Sequence, residues 1–240
     1  MSLEYRIGTK NDNEIVHQFL LNHFRVTEPI TSTINATKDD VFDFFIDLRD
    51  GGLTNEKWST LCFDGPELVG ISLNYTKLVE GSPESESSSF DPRADFAKAI
   101  ESGPYTQLNA NRLVVFVETV EAGMAKLINA PKKIFKIDVL CVRSDYQGKG
   151  IASQMLRRAE QAAVDAGCSY IISTATAVAS QTLFAKNGFT VLRELPFSCF
   201  RENGVAVYEN LTDGGRAAKL MTKPMPEKQN DEEEEEEDLK

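Results

Sequence analysis

The sequence predicts an α+β fold, an α/β/α sandwich in which one mixed, largely antiparallel sheet is flanked by helices. Two patterns carry this expectation. In the first half, "KWSTLCFD" and "ELVGISLNYTKLV" are apolar, β-rich runs joined by a "DGPE" turn, which reads as an antiparallel hairpin. In the second half, "KKIFKIDVLCV", a helical pattern and "CSYIIST" follow one another. A strand-helix-strand unit of this kind requires a parallel strand pair joined by a right-handed crossover. Helices must then cover the apolar faces of the shared sheet.

The elements follow in chain order. "YRIGT" is a short opening strand. Asn11 or Asp12 caps a helix through "EIVHQFLLNHF", where Ile15, Phe19 and Leu20 recur at helical spacing. "VTEPITSTINAT" reads as a loop broken by Pro29. Thr37 and Asp40 resemble a capping box at the head of "TKDDVFDFFIDLRDGG", and Gly51-Gly52 should stop that helix. After the hairpin comes a polar, serine-rich excursion, "EGSPESESSSFDP", expected to be mobile. Helical segments then run from about Arg93 to Ser102 and from about Leu108 to Asn129. In "IASQMLRRAEQAAVDAG" one face gathers Ile151, Met155, Leu156, Ala159 and Ala163. "ASQTLFAKNG" is a short helix, and "FTVLRELPF", "GVAVYEN" and "AAKLMTK" are closing strands. Residues 1–226 are expected to form one domain, with residues 227–240 a disordered acidic tail.

Composition narrows the class. The chain has 240 residues, 41% of them hydrophobic and 26% charged, as in a soluble globular domain. No apolar run is long enough to cross a bilayer, and "MSLEYRIGTK" lacks the layout of a signal peptide, so a cytoplasmic protein is expected. The net charge of −11 is concentrated in the tail: "DEEEEEEDLK" holds eight acids and one lysine, leaving about −4 for the rest. The tail reads as a solubility segment or as a docking segment for a basic partner. No basic stripe suggests nucleic acid. Cys62, Cys141, Cys168 and Cys199 are widely spaced, and His17 and His23 share one helix, so neither disulfide nor metal is expected. Trp58, Phe42, Phe44, Phe45 and Tyr75 read as core aromatics, some of them at a pocket mouth.

The chemistry is expected at "VRSDYQGKGIASQML". A helix beginning near Gly150 aims its first free N–H groups, and the positive end of its dipole, into a glycine turn suited to an anion. The spacing is Gln147-x-x-Gly150-x-Ala152, which is neither GxGxxG nor a P-loop. After "DVLCV" it resembles the acetyl-CoA loop of the GNAT N-acetyltransferase superfamily. "IISTATAVASQTLFAKNGF", ending in Gly188-Phe189, resembles that superfamily's second cofactor-contacting segment. The resemblance implies a GNAT-like sheet with a splayed parallel strand pair and acetyl-CoA as co-substrate. Its diphosphate would lie on Gln147, Gly148, Lys149, Gly150, Ile151, Ala152 and Ser153, with Lys149 or Arg143 adding charge. The pantetheine arm would run beside Leu140, Cys141 and Val142.

An amine attacking a thioester must be neutral, whereas simple alkylamines have pKa values of about 10 and arrive as ammonium, so a general base is the main requirement. "FRVTEPITSTI" offers Glu28, held extended before Pro29. The stretch resembles the "Asp-Glu-Pro-Leu" segment of insect-type arylalkylamine N-acetyltransferases, in which the glutamate is the proposed base; Thr27 and Ile30 depart from it. A tyrosine frequent in GNAT enzymes is Phe184 here, and an asparagine is Ala177. Ser180 and Thr176 fall on serines of the arylalkylamine group, and the resemblance implies that Thr176 contacts the cofactor. Ser180 is thereby the candidate proton donor, with a helix N-cap as its structural alternative. The resemblance implies transfer of acetyl from acetyl-CoA to a small primary amine such as dopamine, tyramine, octopamine, serotonin or tryptamine. Polyamines, amino acids or protein amines are the alternative substrates, and a non-catalytic acyl-CoA-binding module is the alternative of another class.

Overall fold

The computed structural model describes residues 2–81 and 91–226. Seven strands form one sheet in the order β1-β2-β3-β4-β5-β9-β6, with β1 Leu3–Ile7, β2 Thr60–Asp64, β3 Glu67–Val79, β4 Lys132–Val142, β5 Tyr170–Ala175, β6 Thr190–Pro196 and β9 Ala217–Pro224. Every pairing is antiparallel except β4 with β5. The helices are α1 Asn13–Phe19, α2 Arg25–Thr27, α3 Pro29–Thr33, α4 Lys38–Leu53, α5 Ala97–Glu101, α6 Leu108–Glu121, α7 Met124–Leu127, α8 Ile151–Asp165 and α9 Val178–Lys186. The expected α+β sandwich is therefore the observed one.

Alternation along the strands builds a core on each face. Ile134, Ile172 and Leu220 point into a cluster with Phe45, Leu113 and Phe116 of α4 and α6. Their neighbours Phe135, Ile171 and Met221 point the other way, against Leu156, Ala159 and Phe184 of α8 and α9. The five residues expected on one face of α8 are all buried. The capping box of α4 forms, with Asp40 N–H donating to Thr37 Oγ1 at 3.1 Å and Thr37 N–H to Asp40 Oδ2 at 2.7 Å.

Four local expectations are corrected. "VTEPITSTINAT" is not a loop: a π turn at Leu20–Phe24 carries α1 into α2, and α3 begins at once. Pro29 starts α3 rather than ending order, because proline suits the first helical position. Gly51-Gly52 do not stop α4; Gly52 is packed so closely that an added Cβ would sit 2.7 Å from the Leu73 Cβ, so glycine there serves helix-sheet contact. The helix expected to Asn129 breaks at Ala122-Gly123, where Gly123 has φ 68°. "GVAVYEN" forms only β8, Val205–Ala206, paired with β7, Arg201–Glu202. The acidic tail and most of the serine-rich excursion lie outside the described residues.

Candidate active site

The parallel pair makes the central cleft. The β4–β5 ladder runs only from Ile134/Tyr170 to Ile137/Ser173. Asp138 is an extra residue in β4, because Leu73 of β3 pairs with Val139 and Asn74 with Ile137. This bulge bends β4 away from β5. Beyond it the strands diverge around a cavity of about 590 Å³. Its walls include Leu140, Cys141 and Val142 of β4, Ser173, Thr174 and Ala175 of β5, and Thr176 and Ser180 beyond.

One end of this cavity is the glycine turn, where Gln147, Gly148, Gly150, Ile151, Ala152 and Ser153 contribute to the lining. Gly148 and Gly150 have φ of 73° and 79°, backbone that glycine adopts readily, and a Cβ at either would meet nothing within 4 Å. The turn is thus open, and the free N–H groups at the head of α8 face an approachable space. Lys149 lies with its Nζ 4.2 Å from the Tyr146 ring centroid. Arg143 bonds Asp145 at 2.8 Å and Glu67 at 3.2 Å, so its charge is already shared between two carboxylates rather than held open.

At the other end stands Glu28, between α2 and α3. Its ψ of 121° is the extended geometry that a following proline favours. It is buried, 8% exposed, and not an open loop side chain. Oε1 accepts from Thr176 Oγ1 at 2.7 Å and Ile30 N–H at 3.3 Å; Oε2 accepts from Thr31 N–H at 2.7 Å and Thr31 Oγ1 at 2.5 Å. Burial pushes the carboxyl above its ordinary value, and the four donors hold back part of that rise. Thr176, read from the sequence as a cofactor contact, is thereby tied to Glu28 as well as lining the cleft. Ser180 lines the cleft too, but α9 starts at Val178, so Ser180 is not its N-cap; its Oγ donates to the Ala177 carbonyl at 2.8 Å. Phe184 is buried against Phe189, with ring centroids 4.9 Å apart.

A second cavity of about 320 Å³ shares Phe24, Glu28, Asp138, Thr174 and Thr176 with the first. Its helical side carries apolar Phe24, Phe44, Leu48, Leu113, Val114 and Val117, with Glu118 and Glu121 at the end of α6. Its sheet side is polar, with Tyr75, Lys136 and Asp138. Of the aromatics read as core, Phe44 and Tyr75 line this pocket, Phe45 is fully buried, and Phe42 is 45% exposed with its ring against His17. Lys136 is the residue sequence reasoning missed. Its Nζ lies 2.7 Å from Glu121 and 3.1 Å from Asp138. Burial alone would lower the ammonium pKa; the two carboxylates reverse this and hold it well above the ordinary value. The signal was present as two charged residues, Lys136 and Asp138, inside the otherwise apolar run from Ile134 to Val142.

Cys141 also faces the cleft, and burial pushes its thiol up to about 12. The four cysteines are free thiols. Among the described residues no cluster of His, Cys, Asp or Glu could hold a metal ion, and no helix is long and apolar enough to cross a membrane.

Residues 109–191 match the family model for the acetyltransferase (GNAT) domain. A search of curated proteins returns no match. Among solved structures, arylalkylamine N-acetyltransferase 2 from Aedes aegypti superposes with a TM-score of 0.72 at 18% identity, over 94% of this chain and 100% of that one. The Drosophila melanogaster polyamine N-acetyltransferase that forms N-acetylagmatine gives 0.70 at 14%, over 93% and 100%. Arabidopsis thaliana Naa50, solved with a bisubstrate analogue, gives 0.50 at 11%, over 94% and 100%. At these identities the likeness is one of fold.

Proposed function

We propose that this chain, an N-acetyltransferase carrying a GNAT domain, transfers an acetyl group from acetyl-CoA to a small primary amine of the arylalkylamine class. The observation that carries the reading is that two neighbouring cavities share Glu28 in their walls. A long cleft with an anion-suited turn meets, at a buried carboxylate, a pocket walled by aromatic and aliphatic side chains.

The open glycine turn and the head of α8 fit the diphosphate of acetyl-CoA, through backbone N–H groups from Gln147 to Ser153. The unpaired edges of β4 and β5 fit the amide-bearing pantetheine arm. The N–H groups of Leu140 and Val142, which alternate away from β3, are candidates to polarise the thioester carbonyl, whereas the Cys141 N–H faces β3. Glu28 takes the proton from the ammonium, and Thr31 and Thr176 aim its carboxylate. The raised pKa of Glu28 moves it toward that of the group it must deprotonate, which favours transfer. The amine nitrogen then forms the C–N bond of the amide as the C–S bond breaks, and the electron pair leaves with sulfur. Ser180 stands in the cleft wall as a candidate to return a proton to that thiolate, directly or through water. Cys141 is no acyl carrier in this scheme, since a thiol raised to about 12 is not a thiolate at neutral pH.

The outer part of the amine pocket favours the arylalkylamine reading over a polyamine. Phe44, Leu48, Leu113, Val114 and Val117 suit an aromatic body there, and exposed Lys77 repels a second ammonium group that Glu118 or Glu121 would attract.

The phosphate site is tested by Ala152→Glu. Position 152 is helical and in the first turn of α8, where a carboxylate suits the dipole and leaves folding intact. Acetyl-CoA should raise the melting temperature of the wild type and not of the variant. An equal shift in both would remove the proposed cradle.

A further inference from the structure

We propose that Asp138, set in the β4 bulge and paired with Lys136, binds the cationic head of the incoming amine. This rests on the amine-acetylating reading above and names the group that receives the substrate before its proton is lost. Asp138 lines both cavities, so it stands at the junction where the reacting nitrogen must lie if Glu28 is the base. The bulge accounts for its placement: the extra residue breaks the β3–β4 register between Asn74 and Leu73 and delivers a carboxylate to the mouth of the splay.

The charges around it are arranged asymmetrically. Lys136 carries one positive charge against the two carboxylates of Glu121 and Asp138, leaving one negative charge in excess. The Lys136 side chain is only 8% exposed, so the positive charge is held back in the wall, while the Glu121 and Asp138 side chains are 18% and 19% exposed. Glu121 Oε1 also accepts from Thr174 Oγ1 at 2.6 Å. Among the described residues no hydrogen bond reaches the second oxygen of either carboxylate. Asp138 is the nearer of the two to the reaction, because Glu121 lines the second cavity alone. The groups facing this cluster are Tyr75 of β3, with Lys136 Nζ 5.7 Å from its ring centroid, the Thr174 and Thr176 hydroxyls, Glu118 of α6, and Glu28. Among the described residues the cations lining this pocket are the enclosed Lys136 and the exposed Lys77.

Two carboxylates at one junction then divide the task. Asp138, stabilised by its lysine, keeps the ammonium in place; Glu28, buried without a cationic partner, accepts its proton. The arrangement also explains why a lysine is retained in an amine pocket: it allows a carboxylate to remain in a largely buried wall while leaving that wall net negative.

Binding without turnover tests this. In the presence of CoA, 2-phenylethylamine and 2-phenylethanol differ in little but the charge of the head, and their dissociation constants can be measured by calorimetry at neutral pH. The wild type should bind the ammonium about 10- to 100-fold more tightly than the alcohol, the range expected for a hydrogen bond to a charged group. Asp138→Asn should lose most of that preference while leaving alcohol binding and acetyl-CoA binding unchanged; Glu28→Gln should keep most of it. If Asp138→Asn does not fold, Asp138→Ser carries the same comparison. No preference in the wild type, or a preference untouched in the Asp138 variant, overturns the proposal. Failure of the wild type to acetylate any amine, with the ammonium preference intact, would instead overturn the activity and leave the cation site standing.

Discussion

Replacing Glu28 by glutamine isolates the base from everything else the residue does. Glutamine keeps the length and one acceptor oxygen. In the position of Oε2, that oxygen retains both bonds from Thr31. The new amide NH₂ then faces Ile30 N–H and Thr176 Oγ1; the threonine hydroxyl can rotate to accept, so one long backbone bond of 3.3 Å is lost. That loss is worth about 1 kcal/mol, and removal of a buried charge opposes it. The variant should therefore fold. General-base catalysis typically contributes about 10²- to 10⁴-fold, or roughly 2.7 to 5.4 kcal/mol of barrier, so kcat/KM at neutral pH should fall within that span with acetyl-CoA affinity preserved. The defect should shrink as pH rises and for amines of low pKa, which arrive neutral. Stability gives an independent sign. Because the folded pKa of Glu28 is raised, its contribution to stability declines as pH rises from the unfolded value toward the folded one. The variant should thus gain on the wild type between about pH 4, near the unfolded carboxyl value, and neutral pH. The same kinetic loss at every pH and with every amine would refute the base assignment. A variant that loses ground to the wild type as pH rises would refute the raised pKa.

Two neighbours extend the prediction. Thr176→Val removes a donor to the Glu28 carboxylate, so the acid limb of the kcat/KM–pH profile should move to higher pH while the alkaline limb stays; an unmoved acid limb would separate Thr176 from the base. Ser180→Ala should lower kcat only modestly, since its hydroxyl is engaged with the Ala177 carbonyl and a thiol of pKa near 8.5 is a tolerable leaving group; a loss of several orders of magnitude with cofactor binding intact would make Ser180 an obligatory donor.

What the sequence revealed, and what it hid, divides along physical lines. The hairpin and the parallel strand pair were legible because hairpin, crossover and buried strand each leave a local periodic pattern; the strand order was not. The glycine turn was legible because its backbone needs residues without a Cβ, as the φ values of Gly148 and Gly150 bear out. Glu28 was legible as a residue held extended by Pro29; its burial was not, since that depends on Thr176, 148 positions away in the chain. The stretch around it was misread as a loop because proline marks both the start and the end of helices, and only the capping carboxylate decides between them. The Glu121–Lys136–Asp138 cluster was hidden for another reason. A lysine in an apolar strand signals that it needs partners, but its partners come from α6 and from a bulge that only the β3 register creates. Ser180 moved from cap to first turn because the helix begins at Val178, three residues before the start that a Ser180 cap implies.

The central claim is that the two cavities form one acetyl-transfer site for aromatic monoamines. Its most direct measurement is the rate of N-acetyl product formation from acetyl-CoA by the wild-type chain across a panel containing 2-phenylethylamine, tyramine, tryptamine, spermidine, agmatine and a peptide with a free N-terminus. The account predicts amide formation with stoichiometric release of CoA, and kcat/KM highest for the aromatic monoamines. Acetyl-CoA binding with no amide formed from any of them, or turnover confined to the polyamines or the peptide, would contradict it.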